Sequence, residues 1–449
     1  MTEIIDHLNA LAERVLQLAE GDEAIVTAGR SDHGLTRFAN SFIHQHVSDE
    51  STMVGLTLVR DGRVATTATT NVTDDGLRAL AMSAAATADL LPADPRWPGV
   101  APEVILDGRM VPANEADPQR RATIVADFVT AGDGMQAAGY CDTSEVTHVV
   151  ATSTGSRLVG RSTRATLDGI QQAGGGGATA AGSGHRTAQG LDDLDGTSVG
   201  ALAAGLARRG LDRVDLEPGR YPVVLAPECT ATIALFLSVY GFNAKSHAEG
   251  QSAIEVGVAQ FDAAITLVDD PNAGHGFGLG FDVEGTPQRA LPLIDAGVSA
   301  ALVHDRRTAA AAGPGVQSTG HSGPGSAAWG PVADQLHLAG GTTDPLDLVA
   351  AMGRGLVVTT FNYCRILDPK TMVVTGLTRN GTFLVEDGRI VGAVGNLRFT
   401  QSFMDALAPA AVTGLGNDAR WADAEFGPAL AHAPSLALQS WNITGAAPR

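Results

Sequence analysis

The chain has 449 residues, 44% of them apolar, enough for two or three domains with substantial cores. Aspartate and glutamate outnumber lysine and arginine by 49 to 30, a net charge of −19. That balance argues against a protein that grips a nucleic-acid backbone, which needs a basic face.

The chain opens on an acidic amphipathic helix, "MTEIIDHLNALAERVLQLAEGDE", with Ile5, Leu8, Leu11, Val15 and Leu18 on one stripe. It does not read as a secretory signal. The three cysteines, Cys141, Cys229 and Cys364, are far apart and form neither a disulfide framework nor a zinc knuckle, so the expected compartment is the cytoplasm. "EAIVTAG" reads as a short strand. "STMVGLTLVR" and "RVATTATTNV" flank Asp61-Gly62, a hairpin signal, and Thr73 can N-cap the helix "DDGLRALAMSAAATADLL". The proline-rich "LPADPRWPGVAP" reads as a linker.

The next region offers a helix over "PQRRATIVADFVTAG", β-rich segments around "THVVATS" and "RSTRATLDGI", the tract Gly174 to Gly177, and a helix over "SVGALAAGLARRG". From residue 218 a strand in "LEPGRYPVVLAP" leads into a helix. Many short strands follow, separated by Gly, Asp and Asn turns, as in "TRNGTFLVEDGRIVGAV". The fold class is α+β: an N-terminal α/β domain (1–100), a small central domain (101–217) and a β-rich, largely antiparallel C-terminal domain (218–449). The short basic clusters Arg120-Arg121 and Arg306-Arg307 read as solvated surface.

The helix that opens the third region carries no charged residue or histidine between Glu228 and Lys245. Pro227 and Glu228 suit a first turn, and Gly241 suits a stop. Ile233, Leu235, Phe236, Leu237, Val239 and Tyr240 leave hardly any polar face, so the segment is expected to be buried all round. It is shorter than the about 20 apolar residues of a membrane span.

Motifs that carry chemistry are sparse. The Gly174 tract lacks the Gly-Lys-Ser/Thr ending of a phosphate loop, and "GHGFGLG", Gly274 to Gly280, precedes no clear helix. "GHSGP" around Ser322 has Pro324 where a nucleophile elbow needs glycine. Cys364 is either a nucleophile or an inert buried thiol. His44 and His46 share a strand face, which suits either a metal or an exposed edge, and His247 and Glu249 are spaced alike. No His-Glu-x-x-His or His-Glu-x-x-x-His occurs.

Taken in order, "TRFANSFIHQHV", "LEPGRYPVVLAP", "FDVEGTPQRALPLIDAGVSAALVHD", "AAWGPVADQLHLAGG", "NGTFLVEDGRIVGAV" and "LALQSWNITG" resemble segments of the TldD/PmbA family, and the resemblance spans nearly the whole chain. In the TldD branch, the resemblance implies a His-Glu-x-x-x-His helix and a later cysteine, the zinc ligands and base of a metallopeptidase. Here Leu235 and Phe236 fall on the His-Glu positions, Tyr240 on the second His, and Arg420 near the cysteine slot. None can act as the expected ligand.

That departure resembles the TldE (PmbA) branch, whose implied role is the non-catalytic subunit of a TldD–TldE heterodimer. The resemblance implies no catalytic residue, metal site or cofactor in this chain, with zinc in a TldD-like partner. It also implies an extended, unfolded or modified peptide as substrate, as in maturing a modified peptide antibiotic or removing a small antitoxin, and strand addition is a way to hold it. Asp282, Glu284, Gly285 and Thr286 of the acidic-Glu-Gly-Thr-Pro signature are the candidate substrate-binding or turn residues. Two other readings stay open. One is a stand-alone peptide-binding or regulatory homodimer. The other is an enzyme with relocated chemistry at Cys364 or at His44 and His46. Neither nucleic acid nor membrane is expected as a partner.

Overall fold

The computed structural model describes residues 2–112, 117–175, 178–273, 276–425 and 429–446. Its first half is built on long strands: β1 (Glu23–Ala39), β2 (Phe42–Arg60), β3 (Arg63–Thr69), β4 (Ile105–Met110), β5 (Gln136–Thr152), β6 (Arg157–Gly175) and β7 (Ala178–Ala188). They form one sheet in the order β3-β2-β1-β5-β6-β4, with β7 also on β6. "EAIVTAG" is only the start of β1, which runs on through polar residues because β2 pairs along one edge and β5 along the other. Asp61 and Gly62, at φ 49° and 70°, make the expected tight turn between β2 and β3.

Helices cover this sheet. In α1 (Thr2–Leu18) and α2 (Asp74–Leu90), Leu8, Val15, Leu77 and Ala84 pack against Val26, Leu56 and Val149. The α2 cap is as expected, with the Gly76 N–H donating to the Thr73 hydroxyl at 3.2 Å. In α3 (Pro118–Thr130) and α4 (Gly196–Arg209), Ile124, Phe128 and Val199 pack against Phe38 and Leu167.

Pairing of β1 with β5, from Ile25↔Thr152 to Phe38↔Gly139, places the expected boundary near residue 100 inside one sheet. The proline-rich stretch is tied back to that sheet, its Trp97 indole N–H donating to Glu23 at 2.6 Å. The basic clusters are not simply solvated surface either. Arg121 is buried, donating to the hydroxyls of Thr36 at 3.2 Å and Thr143 at 3.0 Å. Its guanidinium occupies the space over Gly34, where a Cβ would lie 2.5 Å from Nη1. Arg307 pairs with Asp94 at 2.6 Å. Of the glycine tracts, Gly176, Gly177, Gly274 and His275 lie outside the described residues.

The C-terminal half contains β8 (Gly219–Leu225), β9 (Leu267–Asp269), β10 (Leu291–Asp295), β11 (Val298–Ser299), β12 (Leu336–Leu338), β13 (Arg354–Asp368) and β14 (Val373–Glu386). After these come β15 (Arg389–Ala393), β16 (Leu397–Ser402), β17 (Val412–Leu415), β18 (Arg420–Asp423), β19 (Leu430–Ala433) and β20 (Leu436–Ala446). One sheet has the order β11-β10-β9-β12-β19-β18. The other runs β13-β8-β20-β16-β14-β15, and pairing of β13 with β14 closes five of its strands into a ring. Among the described residues, the strand pairings of these two sheets are antiparallel except β8 with β13 and β12 with β19. Phe361, Phe399 and Trp441 form an aromatic cluster in the core, with centroids 4.7 to 5.3 Å apart. Asp387-Gly388 is a hairpin turn, whereas Asn380-Gly381 is a bulge within β14 opposite Thr359.

The apolar helix, α5 (Pro227–Phe236), lies between these layers, against β8 and β13 on one side and β12, β18 and β19 on the other. A helix between two sheets needs apolar residues on opposite faces, which explains the sequence. Its hydroxyls bond to the backbone: Thr232 donates to Glu228 O at 3.0 Å and, beyond it, Ser238 to Ala333 O at 2.7 Å. The helix does not simply stop at Gly241. It widens after Phe236 into a π turn over Leu237–Gly241. Phe236 is buried, 5.6 Å in centroid distance from both Tyr240 and Phe403, but Leu235 is only half-buried. Burial is therefore less complete than the sequence predicts. Among the described residues no helix is long and apolar enough to cross a membrane. Truncating Phe236 to Ala should cost about 3–5 kcal/mol of stability, read as a lowered midpoint in denaturant unfolding. An unchanged midpoint would show that this ring is not a core element.

Candidate functional site

Three places could carry function: the far end of α5, a large cavity at its start, and the loop of Asp282 to Thr286. At the far end, the residues present do not fit a zinc ion. Leu235 and Phe236 offer no lone pair, and Phe236 is packed between Tyr240 and Phe403. Nor is Arg420 brought to Leu235. It lies at the opposite end of the helix, donating to Glu228 at 2.7 Å. Glu228 and Leu235 are seven residues apart, about 10 Å along a helix axis. Among the described residues no group of three His, Cys, Asp or Glu side chains is placed to hold a metal.

The start of α5 borders a cavity of about 900 Å³ between β7 and α4 on one side and β18 and β19 on the other. Its lining combines Asp168, His185, Glu228, Asp418, Arg420 and Asp423. Asp168 and His185 are directly paired across β6 and β7, and their side chains meet at 3.1 Å. The Thr187 hydroxyl lies 2.9 Å from the other ring nitrogen. Burial alone would lower the imidazole, but the hydrogen bond and charge of Asp168 hold it above its ordinary value. Burial also pushes Asp423 up to about 6, helped by the charges of Asp168 and Glu228 and opposed by His185. Asp418 accepts from the Ser435 N–H at 2.9 Å and its hydroxyl at 2.7 Å. The chamber thus presents charge and hydrogen bonds, and the Ser435 hydroxyl on its wall is spent on Asp418.

In the third place, one signature splits into two roles. Asp282 is buried and shapes the turn. The N–H groups of Glu284 and Thr286 donate to its Oδ1 at 3.0 and 2.8 Å, and that of Ser322 to Oδ2 at 3.0 Å. Gly285 supplies a φ of +77°, and the buried Thr286 hydroxyl has no partner among the described residues. Glu284 points elsewhere. Its Oε2 accepts from the Arg306 N–H at 3.0 Å, at the start of a short helix (Arg306–Ala312), and it lines a second cavity of about 570 Å³. Burial pushes Glu284 up to about 7, reinforced by Asp282, which burial itself raises to about 6.

The remaining sequence candidates are dispersed. His44 and His46 lie exposed on β2, where the His46 ring meets the Thr36 hydroxyl at 3.0 Å. His247 and Glu249 are exposed, and Glu249 pairs with Lys245 at 2.7 Å. Ser322 lies in the second cavity's wall. Cys364 is buried, its thiol pushed up by burial and by Glu425. Sequence reading missed Asp168, His185 and Asp423, because they converge only through strand pairing.

A family model described as the PmbA/TldA metallopeptidase C-terminal domain matches residues 218–445. Among solved structures the chain is similar to TldE from Thermococcus kodakarensis, at 17% identity and TM-score 0.87, over 97% of this chain and 99% of that one. It is similar also to a proposed modulator of a DNA gyrase from Thermotoga maritima MSB8, at 17% identity and TM-score 0.82, over 97% and 100%. A third such structure, a proposed modulator of DNA gyrase from Bacteroides thetaiotaomicron VPI-5482, matches at 17% identity and TM-score 0.78, over 98% of each chain. No curated protein matches.

Because the folded pKa of Asp423 is raised, its contribution to stability is full below about 3.8 and is lost as pH rises through about 6. Asp423→Asn should therefore be more stable than the parent at pH 7.5, by up to about 3 kcal/mol, with the difference shrinking toward pH 4. Thermal midpoints across that range check the sign.

Proposed function

The chain belongs to the PmbA/TldD metallopeptidase family, and from that premise we propose that it is a TldE-type subunit without a metal site of its own. In this reading it pairs with a TldD-like, zinc-bearing subunit, helps enclose that partner's active site and holds unfolded or modified peptides that the partner cleaves. The observation that carries it is the packing of α5. At the positions where the TldD branch would place its ligands, Leu235, Phe236 and Tyr240 fill space beside Phe403. A chain that keeps the family fold without those ligands retains a use for its surface. An obligate heterodimer supplies one, since such interfaces often bury more than about 2,000 Å².

The test is reconstitution. The chain should co-elute in size-exclusion chromatography with a homologue bearing an intact His-Glu-x-x-x-His helix. An unstructured peptide should be cleaved by the pair and not by this chain alone. Replacing the glutamate of the partner's motif should abolish cleavage, whereas Tyr240→Phe here should leave the chemical step intact. A strict monomer that ignores such a partner would overturn the reading in favour of a stand-alone peptide-binding protein. Elemental analysis of the chain alone should find substoichiometric zinc. One zinc per chain that resists mild chelation would instead direct attention to His44 and His46.

A further inference from the structure

We infer that the second cavity is a pocket for the amino-terminal residue of a peptide, with its primary ammonium on Glu284 and its apolar side chain on the floor laid by β1, β2 and β3. The inference rests on the peptide-handling reading above and adds a position and a chemistry to it.

The cavity, at about 570 Å³, is of the size that ligand pockets have. Ile25, Met53, Val64 and Trp97 give it apolar walls, and Met53 is 57% exposed. Its charges are largely matched already. Arg30 pairs with Glu50 at 2.6 Å and Arg307 with Asp94 at 2.6 Å. Asp305 is buried and serves as the cap of the short helix, its Oδ1 accepting from the Thr308 N–H and hydroxyl, each at 2.7 Å. Glu284 is less buried than Asp305: one oxygen accepts from the Arg306 N–H, and the other has no partner among the described residues. Its position is fixed by that bond, and its charge lacks a counter-charge in contact.

A second group points the same way. The His148 ring lies over Gly29, its direct partner across β1 and β5, where an added Cβ would come within 2.9 Å of the ring. On its other side it stacks on Phe281, with centroids 6.5 Å apart and planes at 17°. Burial lowers it to about 4, so it is neutral at physiological pH. Neither ring nitrogen is bonded to another described residue, which leaves one donor and one acceptor for a peptide group. A simple cation would leave the apolar walls wet, and an uncharged apolar molecule would leave Glu284 unmatched. The first residue of a peptide carries an ammonium, a side chain and a carbonyl, and answers all three features.

Calorimetric titration of the purified full-length chain with short peptide amides tests this. The probes are Leu-Gly-Gly-amide, its N-acetylated form, Gly-Gly-Gly-amide and N-acetyl-Lys-Gly-Gly-amide. Free-amine Leu-Gly-Gly-amide should bind about tenfold or more tighter than its acetylated form, the effect of one charged hydrogen bond. It should also bind more tightly than the glycine probe. Glu284→Gln keeps an acceptor for the Arg306 N–H but removes the charge, and should bring the free-amine probe down to the acetylated level. Equal binding of the free and acetylated leucine probes, or no binding by any probe, would overturn the assignment, and neither outcome depends on a variant folding. Equal or tighter binding of the acetyl-lysyl probe would overturn the amino-terminal assignment in favour of a lysine side-chain pocket. A preference that survives Glu284→Gln would also defeat it. None of these readouts involves a partner subunit or cleavage, so failure here leaves the heterodimer reading standing, and failure to find a partner leaves this one standing.

Discussion

A helix held between two sheets has two opposite faces that cannot meet water, and much of the C-terminal half follows from that constraint on α5. Its residues must be apolar toward both β13 and β19, and its hydroxyls must find backbone acceptors, as Thr232 does. Charged ligands placed midway along it would have to be desolvated between the layers, a cost repaid only by a bound ion or a well-made pair. This chain avoids that cost by filling the space with Phe236 and its aromatic neighbours. Charge is confined to the first turn, where Glu228 meets Arg420 and the large cavity begins.

The loop from Asp282 to Thr286 shows how neighbouring carboxylates can differ in task. Asp282 is surrounded by backbone N–H groups that satisfy it locally, so it acts as a joint between the turn and the Ser322 segment. Glu284 has one such bond and faces open space. Burial and mutual repulsion act on both, yet only Glu284 is placed to exchange that repulsion for contact with something that enters.

Local chemistry was readable from residue order wherever it decided the structure. The Asp61-Gly62 turn, the Thr73 cap and the apolar character of α5 all follow from nearest neighbours. Features set by distant partners were not. Residues 30–37 of β1 are mostly polar and show no strand signal, and they are extended because both edges are paired. Arg121 looked like surface because nothing near it in sequence announces Gly34, which makes room for it. The His185–Asp168 contact and the His148–Gly29 contact are both cross-strand pairs, so each is visible only once register is known. Asn380-Gly381 has turn composition, but the strand opposite absorbs it as a bulge.

The seam between β1 and β5 bears on how the chain is born. The hairpins of β1, β2 and β3 are local and can form early, but the other edge of β1 waits for a strand that ends at Thr152. At ordinary rates of synthesis that delay is on the order of ten seconds. Throughout it, a fourteen-residue edge from Ile25 to Phe38 stands unpaired on a nascent sheet, the kind of edge on which other chains can add. Long-range closure of this sort is also slow by its topology. The stretch of synthesis before β5 emerges is therefore when this protein most needs chaperone cover.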